Sequence, residues 1–371
     1  MSHVVVVGGG FAGVWAAAAA ARVRGESDLR ITLIAPGKDL VLRPRLYEPE
    51  PERATVALKR ILEPVGVEHV RAAVQDIDVD GRVVIADGRP VEYDRLVLAA
   101  GSRLVRPDIP GAERLFDVDT LEGAQRLRGH LRGRDGYTAV VVGAGFAGLE
   151  IATELAGRGR VVLVEKADEI APDLGLGPRP VIEVALDRLG IERRLGTSVA
   201  EVTEGGALLA GGSPIPADAV VWTAGLEASP LTSRIPGDRD RLGRLKVDTR
   251  LRAHPHVFAA GDVAAARADD GHWTVQSCQH AVPMGKTAGH NAAADLLGVQ
   301  LIDFAPAPYV TDVDLGAAGG VYTRGWDRLV ALSGAEGKWV KRWLMDKIHP
   351  PVDDAATILA HAGVVTTPIP F

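Results

Sequence analysis

The sequence predicts an α/β chain of two doubly wound units with a small C-terminal α+β region, on three observations. Residues 4–21, VVVVGGGFAGVWAAAAAA, pass from a β-branched stretch through three glycines into a strong helix former. Gly8, Gly10 and Gly13 have the G-x-G-x-x-G spacing, which provides a tight turn, close backbone approach to an anion and close helix-on-strand packing. Residues 137–148, YTAVVVGAGFAG, repeat the arrangement with Gly143, Gly145 and Gly148. Two such strand–loop–helix units predict two Rossmann-like dinucleotide-binding domains, because each helix N-terminus offers free N–H groups and a positive dipole end to a pyrophosphate. A protein with two dinucleotide sites is expected to move electrons between them.

Other readings of residues 4–21 are a membrane span or a signal peptide. Three glycines directly after four valines suit neither, and no basic segment precedes them. A length of 371 residues suits two or three domains. The net charge of −6 speaks against nucleic acid as a partner. With Cys278 as the one cysteine, an internal disulfide, a cysteine-rich metal site and a redox-active cysteine pair are all excluded. The ten histidines are scattered and suggest no metal site. No targeting segment is recognised, so a cytoplasmic location is expected.

After the first helix, residues 29–34 (LRITLI) read as the second strand. Such a strand ordinarily ends on an acid that holds ribose hydroxyls; here Ala35 stands there, with Asp39 the nearest acid. Residues 42–48 (LRPRLYE) are a loop by their proline, and residues 54–62 look helical. Residues 67–74, 82–86 and 91–93 alternate like short antiparallel strands, with turns at Asp80-Gly81 and Asp87-Gly88. Residues 93–102 (YDRLVLAAGS) form a buried strand ending on small residues, and a basic helix covers residues 121–134.

In the second unit the helix runs over about residues 148–156, and the strand 161–164 does end on an acid, Glu165. A carboxylate there accepts from a ribose 2′-OH and repels a 2′-phosphate. NADH is therefore expected over NADPH, with Lys166 as the opposing feature. Residues 180–189 read as a helix, 217–225 (ADAVVWTAG) as a strand matching 96–101, and 257–263 (VFAAGDV) as a strand closed by Gly261-Asp262. A simple reading of Asp262 is a helix N-cap, a role compatible with ligand binding.

The motif order, from the first glycine loop through LRPRLYE, YDRLVLAAGS, the second loop with Glu150, DAVVWTAG and VFAAGDVA, resembles the two-dinucleotide-domain flavoproteins. It is most similar to type II NADH:quinone oxidoreductases and apoptosis-inducing-factor-like NADH:quinone reductases, over about residues 4–298. The resemblance implies an FAD-binding domain of residues 1–115 and 246–300, an NAD(H)-binding domain of residues 116–245 and a C-terminal domain of residues 301–371. It implies FAD at Gly8, Gly10, Phe11, Ala12 and Gly13, with Val74 by the adenine, Ala100 and Gly101 by the flavin, and Gly261 and Asp262 by the ribityl or pyrophosphate region. Arg43, Pro44 and Tyr47 fall where the family has a loop beside the isoalloxazine, and His280 is a flavin-side hydrogen-bonding residue. NADH falls to Gly143, Gly145, Phe146, Gly148, Glu165 and Gly225. Glu150 would lie by the nicotinamide, orienting the carboxamide or assisting proton delivery; the alternative is an ordinary first-turn helix acid.

Hydride transfer then becomes an intramolecular event, with orientation and electrostatics supplied by the protein. Disulfide reductases and sulfide:quinone oxidoreductases of this superfamily need paired cysteines, which this chain lacks. At the quinone mouth the family usually has Ala-Gln and then two glutamines; residues 278–284 (CQHAVPM) keep Gln279 but place Pro283 and Met284 where the pair belongs. A quinone or quinone-like acceptor is expected, against the alternatives of a ferredoxin-reductase-like donor, a tailoring enzyme for quinonoid metabolites, and an NADH-responsive signalling flavoprotein.

Residues 336–349 (EGKWVKRWLMDKIH) put Trp339, Val340, Trp343, Leu344 and Ile348 on one helical face, with Lys338, Lys341, Arg342 and Lys347 largely elsewhere. That stripe suits packing on the flavin domain or on a second subunit of a homodimer, and also a peripheral membrane contact. Pro350-Pro351 end the helix, and the residues that follow, closing in VVTTPIPF, contain no hydrophobic span, so any membrane association is expected to be peripheral.

Overall fold

A computed structural model describes residues 1–363. The closing VVTTPIPF lies outside the described residues. The first sheet has six strands in the order Arg252–His254, Val257–Ala259, Arg95–Leu98, Ser2–Val7, Leu29–Ile34, Glu68–Val70. Every pairing is parallel except the first. The chain therefore returns to its first sheet after building the second unit. Helix α1, Phe11–Arg24, is buried along Phe11 to Ala21, because the sheet covers one side and later helices cover the others. A helix apolar all round is a core helix here, and among the described residues no helix is long and apolar enough to cross a membrane.

Two expectations fail between the first two β-segments of this sheet's far edge. Residues 54–62 are not one helix: Thr55–Ala57 is a strand antiparallel to Asp39–Val41, and only Lys59–Leu62 forms α2. Pairing with a neighbouring strand outweighs the local propensity of an Ala-Thr-Val-Ala-Leu run. Residues 67–74 do not open an antiparallel meander either, since Glu68–Val70 joins the parallel sheet beside Leu29–Ile34. The antiparallel sheet is Val74–Asp78, Val83–Ala86 and Arg89–Glu92.

Helix α3, Leu121–Leu131, is capped by Thr120, whose side chain accepts from the Gly123 N–H. The second sheet follows, four parallel strands in the order Glu192–Arg194, Arg160–Val164, Thr138–Val142, Ala219–Trp222. Helix α4, Phe146–Leu155, and α5, Arg179–Arg188, belong to this unit. It repeats the first unit's appendage, an antiparallel sheet of Val199–Thr203, Gly206–Leu209 and Pro214–Pro216. Ser102–Leu104 pairs antiparallel with Leu226–Ala228 where the chain leaves and re-enters the first unit.

Helix α6, Cys278–Leu297, crosses α1 at close range through Gly285 and Gly289. A Cβ at Gly285 would lie 2.3 Å from the Ala12 carbonyl oxygen, and one at Gly289 2.0 Å from that of Ala16. The C-terminal region is a three-stranded antiparallel sheet, Val310–Asp314, Gly320–Arg324 and Leu329–Ser333, with α7, Gly334–Met345, packed on it. The buried face of α7 is Gly337, Val340, Lys341 and Met345, while Trp339 is 54% exposed. The expected apolar stripe is buried only in part: Val340 is inside and Ile348 packs on the core, whereas Trp339 points out and Lys341 turns inward to Asp312 on the underlying sheet and Glu150 on α4. Helix α8, Ala355–Ala362, returns to α1.

Candidate functional site

The first glycine loop divides its glycines by task. Gly8 has φ +121, and a Cβ there would sit 2.1 Å from the Ala99 carbonyl oxygen; one on Gly13 would sit 1.8 Å from that of Gly8. Those two are required by packing. Gly10 is different: its backbone is ordinary extended, and a Cβ there would meet nothing within 4 Å. It precedes α1, whose first turn has no acidic residue and no side-chain cap. The second loop repeats this, with Gly143 at φ +105, a Gly148 Cβ 1.8 Å from the Gly143 oxygen, and Gly145 approached only by Asp173 Oδ2 at 3.8 Å. Helix α4 also begins without a cap or an acid. Two helix N-termini with uncommitted N–H groups and open space at the middle glycine fit a pyrophosphate each. Phe11 and Ala12 are buried at the start of α1, and Phe146 is half-buried at the start of α4.

Glu165 lies beside the second loop, where its carboxylate accepts the Ala144 N–H at 2.7 Å and the Ala167 N–H at 2.9 Å. These bonds fix the carboxylate against the loop and leave its remaining lone pairs. At the corresponding place in the first unit, Ala35 is buried and its N–H donates to the Val70 carbonyl at 3.1 Å. Asp39 is committed to the strand paired with Thr55–Ala57.

A second cluster joins Arg43, Ser102 and Asp262. Ser102 Oγ donates to Asp262 Oδ2 at 2.6 Å, and Arg43 Nη1 donates to Ser102 Oγ at 3.0 Å and lies 3.6 Å from Asp262. Arg43 also pairs with Asp119. Asp262 is no helix N-cap: it sits inside the turn Gly261–Val263 and makes no capping bond. Gly101 (φ +70) and Gly261 (φ +74) turn the chain on either side, and a Cβ on Gly101 would meet nothing within 4 Å. Pro44 lies in the turn Arg43–Arg45, Ala100 precedes Gly101 half-buried, Val74 starts its strand, and Gly225 (φ +83) follows the second sheet's edge strand.

Tyr47 departs from that cluster, since its hydroxyl donates to Asp314 Oδ2 at 3.2 Å. There it joins a buried charged group that sequence reasoning did not assemble. Glu150 is 5% exposed; its Oε1 lies 3.0 Å from Lys341 Nζ and accepts the Asp314 N–H at 3.1 Å. Lys341 Nζ also meets Asp312 Oδ1 at 2.8 Å, and Lys338 Nζ meets Asp314 Oδ1 at 2.7 Å. Burial pushes the Glu150 carboxyl up to about 7 while Lys341 pulls against it. Lys341 is itself held well above the usual lysine range, its anions outweighing burial. Glu150 is therefore not an ordinary first-turn helix acid. The available signal was the match between acids two apart on a strand, Asp312 and Asp314, and lysines three apart on a helix, Lys338 and Lys341.

Gln279 donates to the Pro308 carbonyl at 3.1 Å and accepts the Val310 N–H at 3.3 Å, tying the start of α6 to the C-terminal sheet. His280 is buried, and its Nδ1 accepts the Val275 N–H at 3.2 Å. Burial drives the imidazole down to about 4, so it is neutral. It stacks on Tyr309 (5.6 Å between centroids), which stacks on Trp326 (4.1 Å), which stacks on His272 (4.3 Å). Burial pushes the Cys278 thiol up to about 12. Pro283 and Met284 are buried within α6.

The profile of the pyridine nucleotide-disulphide oxidoreductase family matches residues 2–285. An NADH dehydrogenase-like protein of Mycobacterium tuberculosis is 46% identical, with the whole of both chains covered. The type II NADH:quinone oxidoreductase of the same organism is 28% identical over 83% of this chain and 75% of that one. Among solved structures, a ferredoxin reductase from Rhodopseudomonas palustris superposes with a TM-score of 0.74 at 22% identity, covering 98% of this chain and 100% of that one. That last likeness is one of fold.

Proposed function

The chain belongs to the pyridine nucleotide-disulphide oxidoreductase family, and from that premise we propose that it is an FAD-dependent NADH dehydrogenase passing electrons to a quinone or quinone-like acceptor. As a family member it is an oxidoreductase using a flavin and a pyridine nucleotide. The observation that carries the finer reading is the pair of uncapped, glycine-opened helix N-termini in a chain with one cysteine, whose half-buried thiol is held protonated. Thiol–disulfide exchange needs an accessible thiolate and a partner sulfur, so electrons must leave by another route.

In this reading residues 1–115 and 246–300 hold FAD and residues 116–245 hold NAD(H). When bound, FAD accepts a hydride and passes electrons on, chemistry no side chain here supplies. The first N–H groups of α1 bind the FAD pyrophosphate, with Asp262 oriented by Ser102 and Arg43 to accept from cofactor hydroxyls. The α4 N-terminus binds the second pyrophosphate, and Glu165, fixed by two backbone N–H bonds, accepts from the ribose and repels a 2′-phosphate. Glu150 holds a proton near neutral pH at a buried carboxylate whose counter-charge is Lys341. Gln279 is committed to backbone groups, and Pro283 and Met284 supply no polar group in place of a glutamine pair, so the acceptor is held by shape and apolar contact rather than by side-chain amides.

Anaerobic stopped-flow absorbance tests this: NADH should bleach the flavin rapidly, NADPH poorly, and a short-chain quinone should restore the colour. A flavin that stays reduced when quinone is added would refute the acceptor, and equal rates with NADPH would refute the role of Glu165.

A further inference from the structure

The turn between the last two strands of the C-terminal sheet, residues 325–328, is where the three parts of the molecule meet. Its Gly325 N–H donates to the Tyr309 carbonyl at 2.8 Å, and the Arg328 N–H to the Gly325 carbonyl at 3.1 Å. Trp326 stacks between Tyr309 and His272 and donates from Nε1 to Asp269 at 2.7 Å, which fastens the turn to the loop ahead of α6. On the other side the Arg328 carbonyl oxygen lies so close to Gly177 that a Cβ there would sit 2.3 Å away. Arg328 has φ +52, a conformation that costs a non-glycine residue energy and concentrates at functional positions.

The guanidinium of Arg328 lies between two rings, 5.8 Å from the centroid of Phe146 and 5.7 Å from that of Tyr309. Its Nε is buried and meets no acceptor among the described residues. Phe146 is the first residue of α4, so this cation stands at the mouth of the second glycine loop. The acidic side chains at that loop are Glu165, bonded to Ala144, and Asp173, nearest to Gly145; Lys166 is exposed beside Glu165. A dianionic pyrophosphate entering between two carboxylates needs a counter-charge beyond the helix dipole.

We propose that Arg328, delivered from the C-terminal sheet, is a phosphate-binding and positioning residue of the pyridine-nucleotide site. This rests on reading the second glycine loop as that site. Held between the Phe146 and Tyr309 rings, the guanidinium is pre-organised and binds with little loss of rotamer freedom. The consequence is that the second site is completed by a residue lying far along the chain from the second parallel sheet.

The test uses the flavin-loaded protein. Titration calorimetry with the redox-inert analogue 1,4,5,6-tetrahydro-NADH should show Arg328→Met binding about tenfold more weakly than wild type, the loss of one charge-assisted contact. Reduction by 1-benzyl-1,4-dihydronicotinamide, which carries no phosphate, should be unchanged. Should Arg328→Met fail to fold, Arg328→Gln carries the same expectation. Unchanged affinity for the analogue would overturn the proposal, and so would an equal loss with both probes, which marks a packing role through Phe146. If wild type itself fails to bind the analogue, the reading of the second loop falls, and this inference with it.

Discussion

Replacing Lys341 by Met removes the cation from the buried charged group while keeping most of its apolar volume. In wild type Nζ lies 3.0 Å from Glu150 Oε1 and 2.8 Å from Asp312 Oδ1, with Glu150 and Lys341 each 5% exposed. Deleting one partner of such a buried pair leaves charge uncompensated and costs about 3–5 kcal/mol. The pH dependence follows from Glu150. Its folded-state value of about 7 stands above the ordinary 4.5, so its contribution to stability is fully present below 4.5 and is lost as pH rises through about 7. Without Lys341 the folded value rises further, because the largest opposing influence has gone, and the loss extends to higher pH. The variant is therefore expected to lose about 3–5 kcal/mol at about pH 8.5 and clearly less at about pH 6, where Glu150 takes up a proton. Urea unfolding at both pH values, followed by tryptophan fluorescence, measures this. Adding Glu150→Gln to the variant should recover part of the loss at about pH 8.5. A loss below about 1 kcal/mol, the level of an exposed pair, or an equal loss at both pH values, would refute the reasoning.

Gly10→Ala should fold with stability within about 0.5 kcal/mol of wild type, since its Cβ meets no protein atom, yet purify with a depressed flavin-to-protein absorbance ratio. Gly13→Ala, whose Cβ falls 1.8 Å from a carbonyl oxygen, should lower the melting temperature as well, and a G10A protein with full flavin would count against phosphate binding at that loop. His280 is held down to about 4 by burial; a base depressed in the folded state contributes stability above its ordinary 6.5 that is lost as pH falls toward 4. His280→Asn should accordingly flatten the acid limb of a stability profile between those values, and an unchanged limb would exonerate this residue. Glu165→Gln should raise kcat/KM for NADPH relative to NADH by about tenfold or more, by removing a like-charge conflict, as steady-state assays with both nucleotides would reveal.

Much of the architecture was legible because its signals are local. The glycine spacing at 8–13 and 143–148 dictates backbone conformation within a few residues, and each preceding valine run became the central parallel strand its composition requires. Residues 54–62 were misread because Thr55–Ala57 owes its extended form to a partner strand, which no local propensity encodes. The stripe on residues 336–349 was legible only in part for a related reason: Val340 is buried and Ile348 packs on the core, but apolar character does not stand for burial at Trp339, which lies largely outside while Lys341 is inside. What makes lysine an interior residue there is a pair of carboxylates contributed by Glu150 and Asp312. Arg328 was invisible for the same reason, since its meaning comes from Phe146 and Gly177, which only folding brings near.

The distance in sequence between Glu150 and its partners bears on how the molecule is made. The Asp314 N–H bonded to Glu150 lies 164 positions further along the chain, and Lys341 later still. A nascent polypeptide has completed the strands of its second parallel sheet, ending at Trp222, long before the counter-charge leaves the ribosome. During that interval the Glu150 carboxyl must stay hydrated or carry a proton, and the surface that will receive the last sheet stays open. Docking of residues 310–345 is thus the step that dehydrates an ionic lock, and it comes late in synthesis, followed by the return of α8 to α1.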